Sequence, residues 1–266
     1  MRIGLFDSGI GGFTVLDKII ETIGGAEIIY VADTLRAPYG TKPIEVLKGY
    51  LIEIVSFLLK KDVDMIISAC NTLDSVMKLH PLKLPVPYVS IIDSAVELAK
   101  SDKVSIIGTE ATVKMGIYSS LLGERLVLQK SAQVLVSAVE SGIRSGKILD
   151  ALIRWYTLPI HRSETKELIL ACTHFPVYRR EFERILDRIR IIDPADGMKL
   201  KINGSSSGFA IFYVTGDVSD FSRKLKSFGF HRKINYTVER LDVESLIRGR
   251  IDLEEDSRDI GAVGGW

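Results

Sequence analysis

Two cysteines sit in near-copies of one short pattern. These are Ile66-Ile67-Ser68-Ala69-Cys70-Asn71-Thr72 and Leu168-Ile169-Leu170-Ala171-Cys172-Thr173-His174, about a hundred residues apart. Roughly twenty residues after each comes a second matched pair, Ile91-Ile92-Asp93-Ser94-Ala95 and Ile191-Ile192-Asp193-Pro194-Ala195. The opening Ile3-Gly4-Leu5-Phe6-Asp7-Ser8 has a weaker echo in Ser105-Ile106-Ile107-Gly108-Thr109. The period is too long for a solenoid. It fits two α/β lobes of similar build. If the lobes face each other, the two thiols meet across one cleft.

Two thiols on opposite sides of a pocket suit stereoinversion. One removes a proton from a carbon and the other returns a proton to the opposite face. A Cys with a neighbouring His also suits nucleophilic acyl transfer, but one thiol is enough for that and the second would be unexplained. Proton abstraction requires a thiol pKa brought from about 8.5 toward operating pH. A helix start just beyond each Cys favours thiolate, and His174 is a natural proton partner near neutrality. Asp7 is a neighbour of the other kind. A carboxylate works against thiolate, so Asp7 reads as a proton acceptor or hydrogen-bond partner. Each residue also has a plainer use. Asp7 with Ser8, and Asn71 with Thr72, could cap helices. Tyr39-Gly40 could be a turn, His174 a structural histidine and Glu140 part of a solvated helix face. The two Cys spacings match neither a disulfide framework nor a zinc site, so both read as free thiols.

The elements that must hold these residues alternate. Apolar runs at Ile3–Phe6, Glu27–Ala32, Met65–Ala69, Tyr88–Ile92, Val104–Ile107, Leu168–Ala171, Arg190–Ile192 and Phe209–Val214 read as strands. Helical periodicity follows the first run from Phe13 to Ile20 and covers Glu45–Lys60. Strands alternating with helices indicate mostly parallel sheets covered on both faces. Nearly every polar group of interest falls at a strand's carboxyl end, where open α/β sheets bind ligands.

Composition sets the outer limits. The chain has 266 residues, 46% hydrophobic and 26% charged, an ordinary globular balance that excludes a disordered chain. Thirty-five basic against 34 acidic residues leave a net charge of +1, which gives no reason to expect nucleic acid. No apolar run is long enough to span a membrane. Asp7 interrupts any apolar leader core, so a cytoplasmic location is expected. The charged segment 252–259 reads as a solvated tail.

Taken together, the motifs resemble a known family. The pieces are Phe6-Asp7-Ser8-Gly9-Ile10-Gly11-Gly12, Asp33-Thr34-Leu35-Arg36-Ala37-Pro38-Tyr39-Gly40-Thr41-Lys42, Ala69-Cys70-Asn71-Thr72, Val139-Glu140-Ser141-Gly142, Leu170-Ala171-Cys172-Thr173-His174-Phe175-Pro176 and Phe212-Tyr213-Val214-Thr215-Gly216-Asp217. In this order the chain resembles the cofactor-independent aspartate/glutamate racemase family, and the first two pieces favour its glutamate racemases.

The resemblance implies two pseudo-symmetric α/β lobes, 1–95 with 213–266 and 96–212, and an active site between them. It implies Cys70 and Cys172 as the two acid/base residues, the first serving the D and the second the L enantiomer. Asp7, Glu140 and His174 are implied as their proton partners. Ser8, Tyr39, Gly40, Asn71, Thr72, Thr112 and Thr173, with Asp7 and His174, are implied to hold the substrate. The implied ligand is glutamate, with no cofactor and no metal, in a homodimer that supplies D-glutamate for peptidoglycan. Some positions depart from the family pattern: Leu73 and Asp74 follow the first motif where small residues are usual. Ser131-Ala132 stands where Cys-Pro is frequent, and Met115 where a small hydroxyl residue is. Asp74 could cap a helix or raise the Cys70 pKa.

Overall fold

The structure is a computed structural model that describes residues 1–20, 25–198, 208–229 and 233–255. The end of the charged segment 252–259, and the last residues assigned to the first lobe, lie outside the described residues. A first series contains strands β1 (Arg2–Asp7), β2 (Glu27–Ala32), β3 (Met65–Ser68) and β4 (Tyr88–Val89). Between and after them run helices α1 (Phe13–Ile20), α2 (Ile44–Lys60), α3 (Asn71–Leu79) and α4 (Ile91–Leu98). A second series contains β5 (Val104–Gly108), β6 (Leu126–Ser131), β7 (Glu167–Ala171) and β8 (Arg190–Ile192). Its helices are α5 (Glu110–Lys114), α6 (Ile117–Leu122), α7 (Gln133–Glu140), α8 (Lys147–His161) and α9 (Arg179–Ile185). The chain continues through β9 (Phe209–Val214), α10 (Val218–Ser227), β10 (Asn235–Arg240) and α11 (Val243–Arg248).

Among the described residues the strands form two all-parallel sheets. One has six strands in the order β10-β9-β2-β1-β3-β4, the other four in the order β6-β5-β7-β8. β1, β5 and β7 are buried along almost their whole length, as strands covered by helices on both faces must be. Aromatic rings fix α1 and α10 to the larger sheet: Phe13 lies 6.0 Å from Tyr30, Phe221 lies 5.7 Å from Phe212, and the two helices meet through Phe13 and Phe221, edge-on at 5.3 Å. Fully burying a side chain of this class contributes about 1.5–3 kcal/mol.

The winding places the functional residues. β1 has β2 on one side and β3 on the other, and β5 has β6 on one side and β7 on the other. Each sheet therefore has a switch point, with a crevice beyond the carboxyl ends of its two strands. Asp7 ends β1 and Cys70 lies two residues beyond β3; Thr109 follows β5 and Cys172 follows β7. The two crevices face each other. Thr173 Oγ1 donates to Asp7 Oδ1 at 3.3 Å, the Thr72 and Thr109 hydroxyls are 3.0 Å apart, and Tyr118 Oη donates to Asn71 Oδ1 at 2.7 Å.

The elements differ from the sequence reading in two places. The run Tyr88–Ile92 is strand only at Tyr88–Val89, because Ser90 caps α4 and accepts from the Asp93 N–H at 3.1 Å. Ile91 and Ile92 are thus helical while Ile191 and Ile192 are strand, so their matched sequences occupy different elements. They still meet, through the Ser94 hydroxyl donating to the Pro194 carbonyl at 2.6 Å. β6 and β10 carry too many polar residues to read as apolar runs and were not expected as strands. Among the described residues, no helix is long and apolar enough to cross a membrane.

Candidate active site

The β1/β3 side is built on a buried carboxylate. Asp7 has no exposed surface, and its Oδ2 accepts from the N–H groups of Gly9 at 3.1 Å and Gly12 at 2.9 Å. Gly12 must lack a side chain here, since a Cβ would lie 2.8 Å from Asp7 Cβ and 2.3 Å from Tyr30 Oη. Burial pushes the Asp7 carboxyl up, and the His174 charge and these N–H groups only partly oppose that. Cys70 is the N-terminal cap residue of α3 and is buried. Burial, and then the charge of Asp7, push its thiol well above the ordinary range; the N–H groups of Leu73 and Thr72 pull the other way and lose. The helix start thus does not make Cys70 a resting thiolate. Burial keeps the proton on this thiol.

The β7 side is built on a chain of partners. His174 Nδ1 lies 3.8 Å from Cys172 Sγ, and its Nε2 donates to Glu140 Oε1 at 2.7 Å. Lys224 Nζ donates to the other oxygen, Glu140 Oε2, at 3.0 Å. Burial disfavours a charged imidazole, but the Cys172 and Glu140 partners outweigh it and hold the His174 pKa well above normal. Glu140 is held down to about 2, because its bonds to His174 and Lys224 outweigh burial. An imidazolium with Nε2–H on Glu140 turns Nδ1–H toward Cys172, which is the partner a thiolate needs.

Both thiols line one cavity of about 20 Å³. Ser8, Tyr39, Gly40, Asn71, Thr72, Thr173 and His174 line it with them. Asp7, Glu140 and Thr112 stand behind this lining. Asp7 reaches it through Thr173, Glu140 through His174, and Thr112 through the hydroxyls of Thr109 at 2.9 Å and Thr72 at 3.4 Å. The Tyr39 hydroxyl donates to buried Asp33, so its backbone and ring rather than its hydroxyl are left to the cavity. A void of this size holds about one water and is closed to an amino acid. A larger pocket of about 460 Å³ adjoins it, shares Ser8, Pro38, Val136 and His174, and runs out between Glu140, Lys224 and Asp217. Among the described residues, no group of three or more His, Cys, Asp and Glu is placed to hold a metal ion.

The four departures from the motifs sit as follows. Leu73 and Met115 are buried and apolar, and Ser131 ends β6. Asp74 turns away from the thiol. It accepts from Tyr88 Oη at 2.8 Å, Ser90 Oγ at 2.6 Å and the Ile92 N–H at 2.9 Å, tying α3 to the start of α4. Sequence reasoning missed Thr109, Gln133, Tyr118 and Lys224. Thr109 had a signal, its place at a strand end like Asp7. The other three sit on helices with no local pattern to mark them.

Comparison with known proteins follows the same line. Residues 13–197 match the family model for Asp/Glu/hydantoin racemase. The chain is 34% identical over 272 residues to a glutamate racemase of Carboxydothermus hydrogenoformans, covering 96% of this chain and 97% of that one. Its fold is similar to the crystal structure of glutamate racemase from Thermus thermophilus in complex with β-chloro-D-alanine, with a TM-score of 0.81 at 29% identity over 91% of this chain and 97% of that one. It is equally similar to glutamate racemase from Francisella tularensis in complex with D-glutamate, with a TM-score of 0.81 at 27% identity over 92% and 98% of the two chains.

Proposed function

The chain belongs to the Asp/Glu/hydantoin racemase family, and from that we propose that it interconverts L- and D-glutamate by proton transfer between Cys70, Cys172 and the substrate α-carbon. One observation carries the two-base reading: two buried thiols, each from a different sheet, line the same small cavity. In the L-to-D direction the Cys172 thiolate takes the α-proton from one face, and the electron pair moves into the α-carboxylate. The Cys70 thiol returns a proton to the other face. The carbon is inverted, one C–H bond is broken and one formed, and the thiol and thiolate have exchanged places. The reverse reaction runs through the same groups. The Asn71 amide, whose Nδ2 has no partner in the protein, and the Thr72 hydroxyl are the donors for the charge that develops on the α-carboxylate, while the Thr173 hydroxyl gives its proton to Asp7. Asp7 serves Cys70, and the Glu140–His174 pair serves Cys172, so that each thiol can change protonation state in a site closed to bulk solvent.

The closed cavity supports a second step in the cycle. Residues 1–95 with 213–266, and 96–212, act as two lobes whose separation admits substrate from the larger pocket. The enzyme works as a cytoplasmic homodimer that supplies D-glutamate for peptidoglycan.

The test is proton NMR of L-glutamate with the protein in D2O, alongside Cys70→Ala and Cys172→Ala variants. Loss of the α-proton signal with D-glutamate appearing, and neither variant racemising, is the expected result. Racemisation that survives loss of either thiol overturns the two-base reading. Absence of exchange with glutamate, when aspartate does exchange, moves the substrate within the family.

A further inference from the structure

We propose that Gln133 is a substrate-contacting residue that selects glutamate by donating a hydrogen bond to its distal carboxylate. The inference rests on the racemase reading above and adds a residue to it. Among the described residues, buried side-chain nitrogen or oxygen atoms without a hydrogen-bond partner belong to Arg36, Asn71, Gln129 and Gln133. Only Asn71 and Gln133 line the cavity between the thiols. Buried polar groups left unpaired are rare and call for a ligand or water to complete them, and here two amides wait on the same space.

The two amides come from different helices, Asn71 from α3 and Gln133 from α7. Asn71 directly follows Cys70, and Tyr118 fixes its Oδ1, which leaves Nδ2 beside the thiol that works on the α-carbon. Gln133 comes from the start of α7 and lies over Gly40. A Cβ at Gly40 would be 2.1 Å from Gln133 Oε1 and 2.6 Å from Thr109 Cβ. Gly40 has to be glycine for that space alone, and the missing side chain lets the amide reach the wall shared with Thr109. Oε1 faces Gly40, which leaves Nε2, without a partner like Asn71 Nδ2, as a neutral donor for a second anionic group in the same cavity. A carboxylate is an acceptor only, and the matching group on glutamate is the distal one. Aspartate, one methylene shorter, reaches this donor poorly.

The test uses Gln133→Ala and Gln133→Glu in the full chain, with KM and kcat measured for both glutamate enantiomers and for aspartate. A contact made equally in ground and transition states moves KM more than kcat. The expected result for Gln133→Ala is a rise of about tenfold or more in KM for glutamate, a smaller change in kcat and an unchanged aspartate rate. Gln133→Glu sets carboxylate against carboxylate, so its glutamate KM should be higher still and should fall as the pH is lowered and the new side chain protonates. Thermal unfolding separates this from a structural role. Gln133→Ala should melt at the wild-type temperature without ligand, because the amide bonds nothing in the protein, and should lose most of the rise that glutamate gives the wild type. A glutamate KM within twofold of wild type in both variants overturns the inference while leaving the racemase reading intact. A wild type that neither binds nor turns over glutamate overturns both.

Discussion

Glu140 stands between two cations: its Oε1 accepts from His174 Nε2 at 2.7 Å and its Oε2 accepts from Lys224 Nζ at 3.0 Å. Lys224 is on α10, which follows a strand of the six-stranded sheet, whereas Glu140 and His174 belong to the four-stranded side. One carboxylate thus orients the imidazole beside Cys172 and also joins the two sides at the mouth of the cleft.

Neutralising that carboxylate should therefore act on the imidazole. In Glu140→Gln the burial of His174 is no longer outweighed by a full charge, and its pKa falls. The limb of the pH–rate profile that reports the imidazolium should move to lower pH, and kcat should drop by about a hundredfold or more. Lys224→Met leaves the His174–Glu140 bond in place and should cost much less. NMR titration of the His174 imidazole, run beside the pH–rate profile, reads both; an unmoved His174 pKa in Glu140→Gln would refute this coupling.

Asp7 raises the Cys70 pKa by its charge. Asp7→Asn removes that charge while keeping an oxygen for the Gly9 and Gly12 N–H groups. The thiol pKa should come down, and alkylation of Cys70 at a fixed pH in a Cys172→Ala background should speed up. Racemisation should nevertheless fall, because the proton partner is gone. Slower alkylation in the variant would mean that Asp7 activates Cys70 rather than holding its proton on.

Gly11 packs against the His174 ring. A Cβ there would come within 2.5 Å of Thr173 Oγ1 and 2.6 Å of His174 Nδ1. With Glu140 holding the far side of the ring, Gly11→Ala should turn Nδ1 away from Cys172. We expect activity to fall by about a hundredfold, since a small misplacement of a catalytic group can cost that much. Overpacking of this kind costs about 1–3 kcal/mol of stability. Thermal melts and the racemisation rate measure the two separately.

Asp74 carries a pH-dependent stability term. Burial raises its native pKa from 3.8 to about 6 in spite of its three hydrogen-bond donors. The native state therefore binds the proton more tightly than the unfolded chain does. The stabilisation is fully present below pH 3.8 and is lost as pH rises through about 6. Its size is up to about 3 kcal/mol. Asp193 is raised to about 6 as well, and Glu140, held down to about 2, acts with the opposite sign below its ordinary range. The difference between wild type and Asp74→Asn isolates one group: between pH 7 and 4.5 the wild type should gain stability relative to the variant. Urea melts across that range measure it, and a flat difference would show that Asp74 does not titrate there.

Apolar patterning alone marks most of the strands, all but the polar β6 and β10, and the polar residues that gather where they stop. Apolar runs such as Ile3–Phe6 and Leu168–Ala171 have to be buried on both faces, and ligand groups then collect at their carboxyl ends. The repeat around Cys70 and Cys172 marked the two thiols as a pair, because both follow an apolar strand at its carboxyl end; the helix start expected beyond each is present only at Cys70, which caps α3, whereas Cys172 is followed by a 3-10 turn at Phe175–Tyr178 and by α9 only at Arg179. Which of these groups face one another follows only from how the two sheets pack. The winding of each sheet puts β1 beside β3 and β5 beside β7, and the meeting of two switch points brings Thr72 to Thr109 and Thr173 to Asp7. Packing also decides what a pattern cannot encode. Gln133, Tyr118 and Lys224 are ordinary polar residues on helices, and their importance arises from what chain folding sets within reach. Charge is likewise a property of the assembled site. The start of α3 favours thiolate at Cys70, but burial and the neighbouring Asp7 outweigh it, and both exist only once the β1 and β3 ends are packed together.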